Sequence, residues 1–209
     1  MIRRSMKSAA LITIVGPSGV GKTALVQAMA QADNFALAFE QHEARPFQAL
    51  FKQDARYGLA NQIDYLLLRA EQERTLRATP QTGLIDGGLD LDYHGFTRLF
   101  HSRGLLADPE FDLCRRLYET LRELLPLPDI IVRLRADRDT VAGRLSARDR
   151  INIASTEDFA LFESFLDEWL ANIPSQQLLE VDVSGHDPLY RQVVPVLLDQ
   201  IRTKLQSAA

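Results

Sequence analysis

Eight residues near the start of the chain have the spacing of a phosphate-binding loop: GPSGVGKT, from Gly16 to Thr23. They match the pattern G-x-x-x-x-G-K-[ST], whose glycines let successive backbone N–H groups face one anion. In this pattern Lys22 reaches the outer phosphates and the Thr23 hydroxyl is a ligand for Mg²⁺. A site for a nucleoside triphosphate is therefore predicted, formed by Gly16, Pro17, Ser18, Gly19, Val20, Gly21, Lys22 and Thr23.

A second candidate for chemistry is the acid in GLIDGGLDLD, where Asp86 ends an apolar run and is followed by Gly87 and Gly88. A carboxylate at the tip of a buried strand often binds a metal ion, and Mg²⁺ prefers oxygen ligands. We expect Asp86 to face Thr23 across neighbouring strand ends and to help hold Mg²⁺, directly or through water.

Apolar runs and helical periodicities alternate along the chain, and both candidate motifs follow predicted strands. The predicted strands are Ala9–Val15, Phe35–Phe39, Leu84–Asp86, Asp129–Leu134 and Leu178–Val183. The predicted helices are Lys22–Ala32, Tyr57–Arg77, His94–Arg103, Pro109–Leu125, Arg138–Ala147, Thr156–Leu170 and Leu189–Leu205. This alternation predicts an α/β fold, a P-loop NTPase three-layer sandwich with a five-stranded parallel sheet covered by helices on both faces. Ligands should collect at the carboxyl ends of its strands.

Composition limits the class of protein. The chain has 209 residues, 46% hydrophobic and 25% charged, which suits a single domain over residues 1–209. The net charge of -4 gives no general attraction to nucleic acid or to anionic membranes. The apolar run Ala9–Val15 is too short to span a membrane. The single cysteine, Cys114, fits a reducing cytoplasm. No metal-ligand spacing joins the histidines, which are expected at the surface or in loops: His42, His94, His101 and His186.

Four later segments, taken together, carry a family resemblance. They are E-x5-P-F from Glu40 to Phe47, R-Y-x4-Q-x6-R from Arg56 to Arg69, D-x5-D-x3-F from Asp86 to Phe96, and RLSARDR from Arg144 to Arg150. The ensemble resembles the deoxynucleoside kinase family, from about residue 10 to about residue 183. The resemblance implies ATP-dependent, Mg²⁺-assisted phosphoryl transfer to the 5′-hydroxyl of a nucleoside, and it suggests a homodimer.

The resemblance also implies roles on the acceptor side. Glu40 takes the place of the general base for the sugar 5′-hydroxyl, with Glu43 farther into the loop as a competitor. Gln62 takes the place of the glutamine that pairs with the nucleobase edge. An arginine–aspartate pair that extends base recognition is matched by Arg69 and Asp92. The remaining candidates are Phe96, which would stack on the base, and Phe47, which would line the pocket.

On the donor side, the resemblance implies an arginine-bearing lid over the ATP phosphates, at about residues 144–156. Guanidinium groups there neutralise charge on the transferring phosphoryl group. Arg144 and Arg148 are assigned to ATP binding, and Arg150 is counted as catalytic with Lys22, Glu40 and Asp86. The alternative for this arginine cluster is a solvated helix end. The alternative for Gln62 and Arg69 is a solvent-facing stripe of a helix.

Three positions depart from the family pattern. Asp86–Gly87–Gly88 stands where an acid–Arg–Ser triplet is usual, and Phe51 replaces a tyrosine that often holds the sugar 3′-hydroxyl. The position at which the family has a lid glutamate for the same hydroxyl falls near Asn152 or Ile153 in this chain. Either another arginine, Arg45 or Arg150, fills the space beside Gly87, or ordinary deoxynucleosides react slowly or not at all. We favour the second outcome. A kinase of a different small alcohol and a noncatalytic nucleotide-binding module stay as alternatives.

Overall fold

The computed structural model describes residues 9–39, 45–146, 158–185 and 189–207. Its sheet has five parallel strands in the order β2-β3-β1-β4-β5. The strands are β1 (Leu11–Val15), β2 (Ala36–Ala38), β3 (Gly83–Asp86), β4 (Ile130–Arg135) and β5 (Leu178–Asp182). The predicted α/β class is confirmed. Each of these strands begins and ends within two residues of its predicted bounds.

Helices cover both faces of this sheet. They are α1 (Lys22–Ala32), α2 (Pro46–Phe51), α3 (Gly58–Arg77), α4, α5 (Asp108–Leu124), α6 (Arg138–Ser146), α7 (Phe159–Leu170) and α8 (Val193–Ser207). Helix α4 has three consecutive parts: an α-helical turn Leu89–Leu91, a π-helical stretch Asp92–Thr97 and an α-helical end Arg98–Ser102. One core cluster joins α1 and α8 to the sheet, and others join α3, α4 and α7 to its opposite face.

Two predicted helix starts are corrected, and one short helix was not predicted. Helix α4 begins at Leu89, five residues before the predicted start, because the chain turns into a helix directly after Gly88. The six-residue helix α2 was not predicted, since it is too short to show a periodicity. Helix α8 begins at Val193 rather than Leu189, because Tyr190 has a left-handed backbone with φ of 51°. The predicted start of α7 at Thr156 lies outside the described residues.

A buried arginine fixes α7 to the sheet. Arg133 lies in the middle of the apolar strand β4 and is 3% exposed. Its guanidinium is 2.8 Å from Glu163 and 2.6 Å from Asp167, both on α7, and 3.3 Å from Glu180 on β5. A buried charge is tolerated only when it is paired in this way. The arginine therefore ties α7, which packs against α4, to the carboxyl-end half of the sheet.

Candidate active site

The phosphate-binding loop connects β1 to α1 at the carboxyl edge of the sheet. Gly16 has φ of 147°, and a Cβ atom there would lie 2.7 Å from the carbonyl oxygen of Leu134, so the first turn of the loop requires glycine. The ammonium of Lys22 donates to the carbonyls of Gly16 at 2.9 Å and Pro17 at 3.0 Å. The loop thus holds its lysine in place, and the amino end of α1 directs its positive dipole to the same spot.

The predicted contact between Thr23 and Asp86 is present. The Thr23 hydroxyl donates to Oδ2 of Asp86 at 2.5 Å, and Asp86 stands beside Ile14 on the neighbouring strand. Asp86 is fully buried, and its Oδ1 has no hydrogen-bond partner. A buried carboxylate oxygen left without a partner is costly unless a ligand completes it. A hydroxyl and a carboxylate at the phosphate loop fit Mg²⁺, which takes oxygen ligands together with substrate phosphates.

An arginine does lie beside Gly87, and it is Arg69 on α3. Its Nη1 donates to the carbonyl of Asp86 at 3.1 Å, and a Cβ atom built on Gly87 would lie 3.1 Å from its Nη2. Of the two arginines expected there, only Arg45 is among the described residues, and it is not found in this space. Arg45 instead forms a bidentate pair with Asp64, both contacts at 2.5 Å, while Arg150 lies outside the described residues.

On the acceptor side, polar side chains from α3 and the π-helical stretch meet in the interior. Gln62, Arg69 and Asp92 are each less than 5% exposed. Arg69 Nε is 2.6 Å from Asp92 Oδ2, and the Thr97 hydroxyl donates to Gln62 Oε1 at 2.9 Å and to the Asp92 carbonyl at 3.0 Å. A solvent-facing stripe for Gln62 and Arg69 is therefore wrong. Turns of π-helix are frequent at functional sites.

The aromatic candidates are placed differently from one another. Phe96 is half-buried at the π-helical stretch, where its ring meets Phe162 of α7 edge-on at 5.0 Å. Phe47 is 39% exposed on α2. Phe51 stacks on Phe100 at 5.0 Å, within the core cluster between α3 and α5. Phe96 is thus close to the buried polar group, whereas the ring of Phe51 serves apolar packing.

One lid arginine contacts the phosphate loop directly. Nη1 of Arg144, on α6, donates to the carbonyl of Val20 at 2.5 Å, and its Nη2 donates to the carbonyl of Val183 at 3.4 Å. Its guanidinium is therefore part of the loop's surroundings. Three further predicted residues, Glu40, Arg148 and Arg150, lie outside the described residues.

Comparison with known proteins agrees with this geometry. Residues 12–192 match the sequence profile described as deoxynucleoside kinase. The chain belongs to the deoxynucleoside kinase family. It is therefore a phosphotransferase of the nucleoside kinase type. In the part of the chain that the structure describes, no helix combines the length and apolar character needed to cross a bilayer.

Similarity to individual members of the family is low but extends over most of the chain. A Bacillus subtilis (strain 168) deoxyadenosine/deoxycytidine kinase is 21% identical over 197 residues, 91% of each chain. A deoxyguanosine kinase of the same strain is 26% identical over 147 residues, 69% of this chain and 70% of its own. The solved structure of an M. mycoides deoxyadenosine kinase with dCMP and dCDP superposes with a TM-score of 0.77 at 18% identity, covering 92% of this chain and 99% of that one. This likeness supports the fold.

Tyr190 also lies at the phosphate loop of the kinase, although no sequence motif indicates it. Tyr190 is 1% exposed, its hydroxyl is 3.5 Å from the carbonyl of Gly21, and its backbone is left-handed. A Cβ atom on Gly21 would lie 2.1 Å from that hydroxyl. A non-glycine residue with such a backbone persists only where its surroundings hold it. Only the tertiary structure brings this tyrosine from the carboxyl-terminal part of the kinase to the loop.

Behind the acceptor side of the kinase, buried polar groups form a chain across α3, α4 and α5. Arg122 binds Glu73 at 2.6 Å and Asp90 at 3.0 Å; Tyr118 donates to Asp90 at 2.8 Å and is 3.1 Å from His94. His94 is half-buried and stacks on Trp169 of α7 at 5.1 Å, so its predicted surface position is wrong. Burial lowers the pKa of His94 to about 4. This histidine is neutral at neutral pH.

A cavity of about 460 Å³ lies at the edge of the kinase sheet, between β2 and α3. It is lined by Leu37, Ala38, Phe39, Leu68, Glu71, Gln72, Thr75 and Leu76. Neither the phosphate loop nor the buried group of Gln62, Arg69 and Asp92 lines it. We therefore base the active site on the polar contacts at the strand ends and not on this cavity.

Proposed function

We propose that this kinase transfers the γ-phosphoryl group of Mg-ATP to the 5′-hydroxyl of a nucleoside or a nucleoside-like molecule. The observation that carries the proposal is the buried convergence of Gln62, Arg69 and Asp92 beside Asp86 and the phosphate loop. Buried hydrogen-bonding groups next to a phosphate site are what recognition of a polar, planar ligand requires. The family membership supports the same substrate class.

The donor site is the more complete half of the proposal. The loop Gly16–Thr23 surrounds the phosphates with backbone N–H groups, and Lys22 and Arg144 add positive charge. Thr23 and Asp86 would hold Mg²⁺, which when bound neutralises charge on the phosphates. Arg148 and Arg150 are proposed to complete the lid. In this proposal the donor-site residues bind and orient the triphosphate, and the acceptor hydroxyl attacks it.

Transfer itself needs a base for the hydroxyl. We assign this role to Glu40, whose carboxylate accepts the proton as the 5′-oxygen bonds to phosphorus. The bond from phosphorus to the bridging oxygen breaks at the same time, and ADP leaves. Phe39, the residue before Glu40, is held by the Gln72 side chain, whose Nε2 donates to its carbonyl at 3.0 Å. On the other side of this segment, the Arg45–Asp64 pair attaches the chain to α3.

Base selection in this proposal rests on charge and stacking. The Arg69–Asp92 pair favours a purine or cytosine over thymine, and Phe96 stacks on the base, a contact worth roughly 1–3 kcal/mol. Because Gly87 supplies no side chain and Phe51 no hydroxyl, we expect slow reaction with some or all common deoxynucleosides. The homodimer, the reducing cytoplasm and ATP as the particular triphosphate are kept as further predictions of the same proposal.

A thermal-shift screen tests the proposal. Nucleosides are added with and without Mg-ATP, since a ligand at about 100 times its Kd stabilises the folded state by about 2.7 kcal/mol. We expect at least one nucleoside to raise Tm for the wild type and not for Gln62→Leu. Gln81→Leu, at an exposed glutamine bound to Asn34, is the matched control and should respond like the wild type. A panel in which ATP raises Tm and no nucleoside does would overturn the acceptor class.

A further inference from the structure

A buried amide on α3 has no partner. Asn61 precedes Gln62 and is 1% exposed, and neither its Oδ1 nor its Nδ2 has a hydrogen-bond partner. Amide groups buried in a protein are almost always hydrogen-bonded, because an unpaired one loses its contacts with water and gains none. Asn61 therefore costs stability in the free protein, which is typical of a group that a ligand completes.

Asn61 lies on the side of α3 next to the one that carries Gln62. Residues 61, 65, 68 and 72 are spaced by four, three and four positions and so share one stripe of α3. On this stripe Tyr65 lies 5.9 Å below the guanidinium of Arg45, and Gln72 donates to the carbonyl of Phe39. The stripe therefore faces Phe39, which follows β2, and Arg45, which precedes α2.

Gln62 projects from the adjacent stripe of the same helix. Its Oε1 accepts from Thr97, and no described residue accepts a hydrogen bond from its Nε2. One stripe of α3 thus presents the Gln62 amide to Thr97 on α4, and the adjacent stripe carries the unpaired amide of Asn61. Two amides about a quarter of a helical turn apart can contact two different sides of one bound molecule.

We infer that Asn61 is a specificity-determining residue of the acceptor site, where its amide hydrogen-bonds a second polar edge of a purine nucleoside while Gln62 contacts the first. A purine has two polar edges and can satisfy both amides, whereas a pyrimidine has one such edge. This inference rests on the proposed function and adds to it a preference for purines over pyrimidines and a residue responsible for that preference.

The test combines stability with kinetics in the full-length protein. In Asn61→Leu, a variant of similar side-chain volume, the unpaired amide is gone, so Tm without ligand should rise by about 2–6 °C. Its KM for purine nucleosides should rise about tenfold, because one hydrogen bond to the acceptor is lost. The kcat and the KM for ATP should stay within about twofold of wild type, since the donor side is untouched.

Two further variants make the result decisive. Asn61→Ala should show the same rise in KM for purine nucleosides, even where its smaller side chain lowers Tm. Asn172→Leu is the matched control: it makes the same exchange at an exposed asparagine whose amide donates to the Glu168 carbonyl at 2.9 Å, so neither a rise in Tm nor a change in KM is expected.

Two results would overturn the inference. An unchanged ratio of purine to pyrimidine kcat/KM in both Asn61 variants would remove Asn61 from the acceptor site while leaving the kinase activity intact. A lower Tm in Asn61→Leu, with higher KM values for ATP and acceptor alike, would show a structural role instead. If the wild type phosphorylates no nucleoside at all, the proposed function fails, and the purine preference fails with it.

Discussion

The donor half and the acceptor half of the proposed site differ in whether backbone or side-chain groups form them. The donor half is mostly backbone: a short loop between β1 and α1 provides its N–H groups, and Lys22 is held by carbonyls of that same loop. The proposed acceptor half is made of side chains from α3 and α4, such as Gln62, Arg69 and Asp92, which meet only in the folded protein. A backbone site needs a fixed local pattern, whereas a side-chain site can change one residue at a time.

This difference explains where the chain departs from its family. The phosphate loop matches its motif completely, while Gly87 and Phe51 depart from the family pattern at positions assigned to the acceptor side. Arg69 shows how such a change is accommodated: its guanidinium pairs with Asp92 and also reaches the space beside Gly87. We therefore expect substitutions in the donor half to slow transfer for every acceptor, and those in the acceptor half to change which acceptor reacts.

The largest effect is expected from Lys22→Ala in the donor half. Loss of one preorganised cationic donor from a phosphoryl-transfer site should lower kcat by about 10²–10³ for any acceptor. Folding should change little, which a thermal melt checks. Lys52→Ala, at an exposed lysine, is the control and should behave as wild type. Unchanged ATP binding and turnover in Lys22→Ala would contradict the role of the loop.

Asp92→Ala tests the acceptor half. Removing one member of a buried ion pair leaves a charge without full compensation, and should cost about 3 kcal/mol of unfolding free energy in a urea titration. Asp33→Ala breaks the exposed pair with Arg202 and should cost about 0–1 kcal/mol. A loss for Asp92→Ala as small as for Asp33→Ala would mean that the buried pair does not organise the acceptor half.

Gly87→Arg asks whether the family arginine can be restored. We expect that it cannot, because Gly87 has φ of 90° and any Cβ atom would press on Arg69. Both Gly87→Arg and Gly87→Ala should lose about 1–3 kcal/mol of unfolding free energy, as strained backbones do. Faster turnover of common deoxynucleosides by Gly87→Arg, without loss of stability, would show that the arginine was absent for another reason.

The smallest expected effect concerns pH and the packing behind the acceptor half. The pKa of His94 is lowered to about 4 in the folded protein, against an ordinary value near 6.5, so the unfolded chain binds a proton more readily between these values. Stability from this group is present above pH 6.5 and is lost as pH falls toward 4, by about 1–2 kcal/mol at pH 5.

Urea titrations at pH 7 and pH 5 measure this effect, with His94→Gln for comparison. The wild type should lose more unfolding free energy between the two pH values than the variant, by the amount given for His94. His101→Gln, at a histidine that faces Asp108 at the surface, provides the comparison with a histidine that is not buried. Equal pH dependence in wild type and His94→Gln would contradict a buried neutral His94.

The sequence predicted the parts of the molecule whose rules are local. Helix α1 matches its predicted bounds because the loop motif fixes its start, and the contact of Thr23 with Asp86 follows from two neighbouring parallel strands. Asn61 and Tyr190 gave no such signal. Burial without a partner, and a tyrosine brought to the loop from the far end of the chain, are properties of the folded structure.

One measurement tests the central claim most directly: chromatographic detection of nucleoside 5′-monophosphate formed by the wild type from Mg-ATP and each of the common ribo- and deoxynucleosides. The account predicts that at least one purine nucleoside yields its 5′-monophosphate, that Lys22→Ala yields about 10²–10³ times less of it, and that Gln62→Leu also yields less than wild type. ATP binding by the wild type, with no monophosphate from any nucleoside, would contradict it.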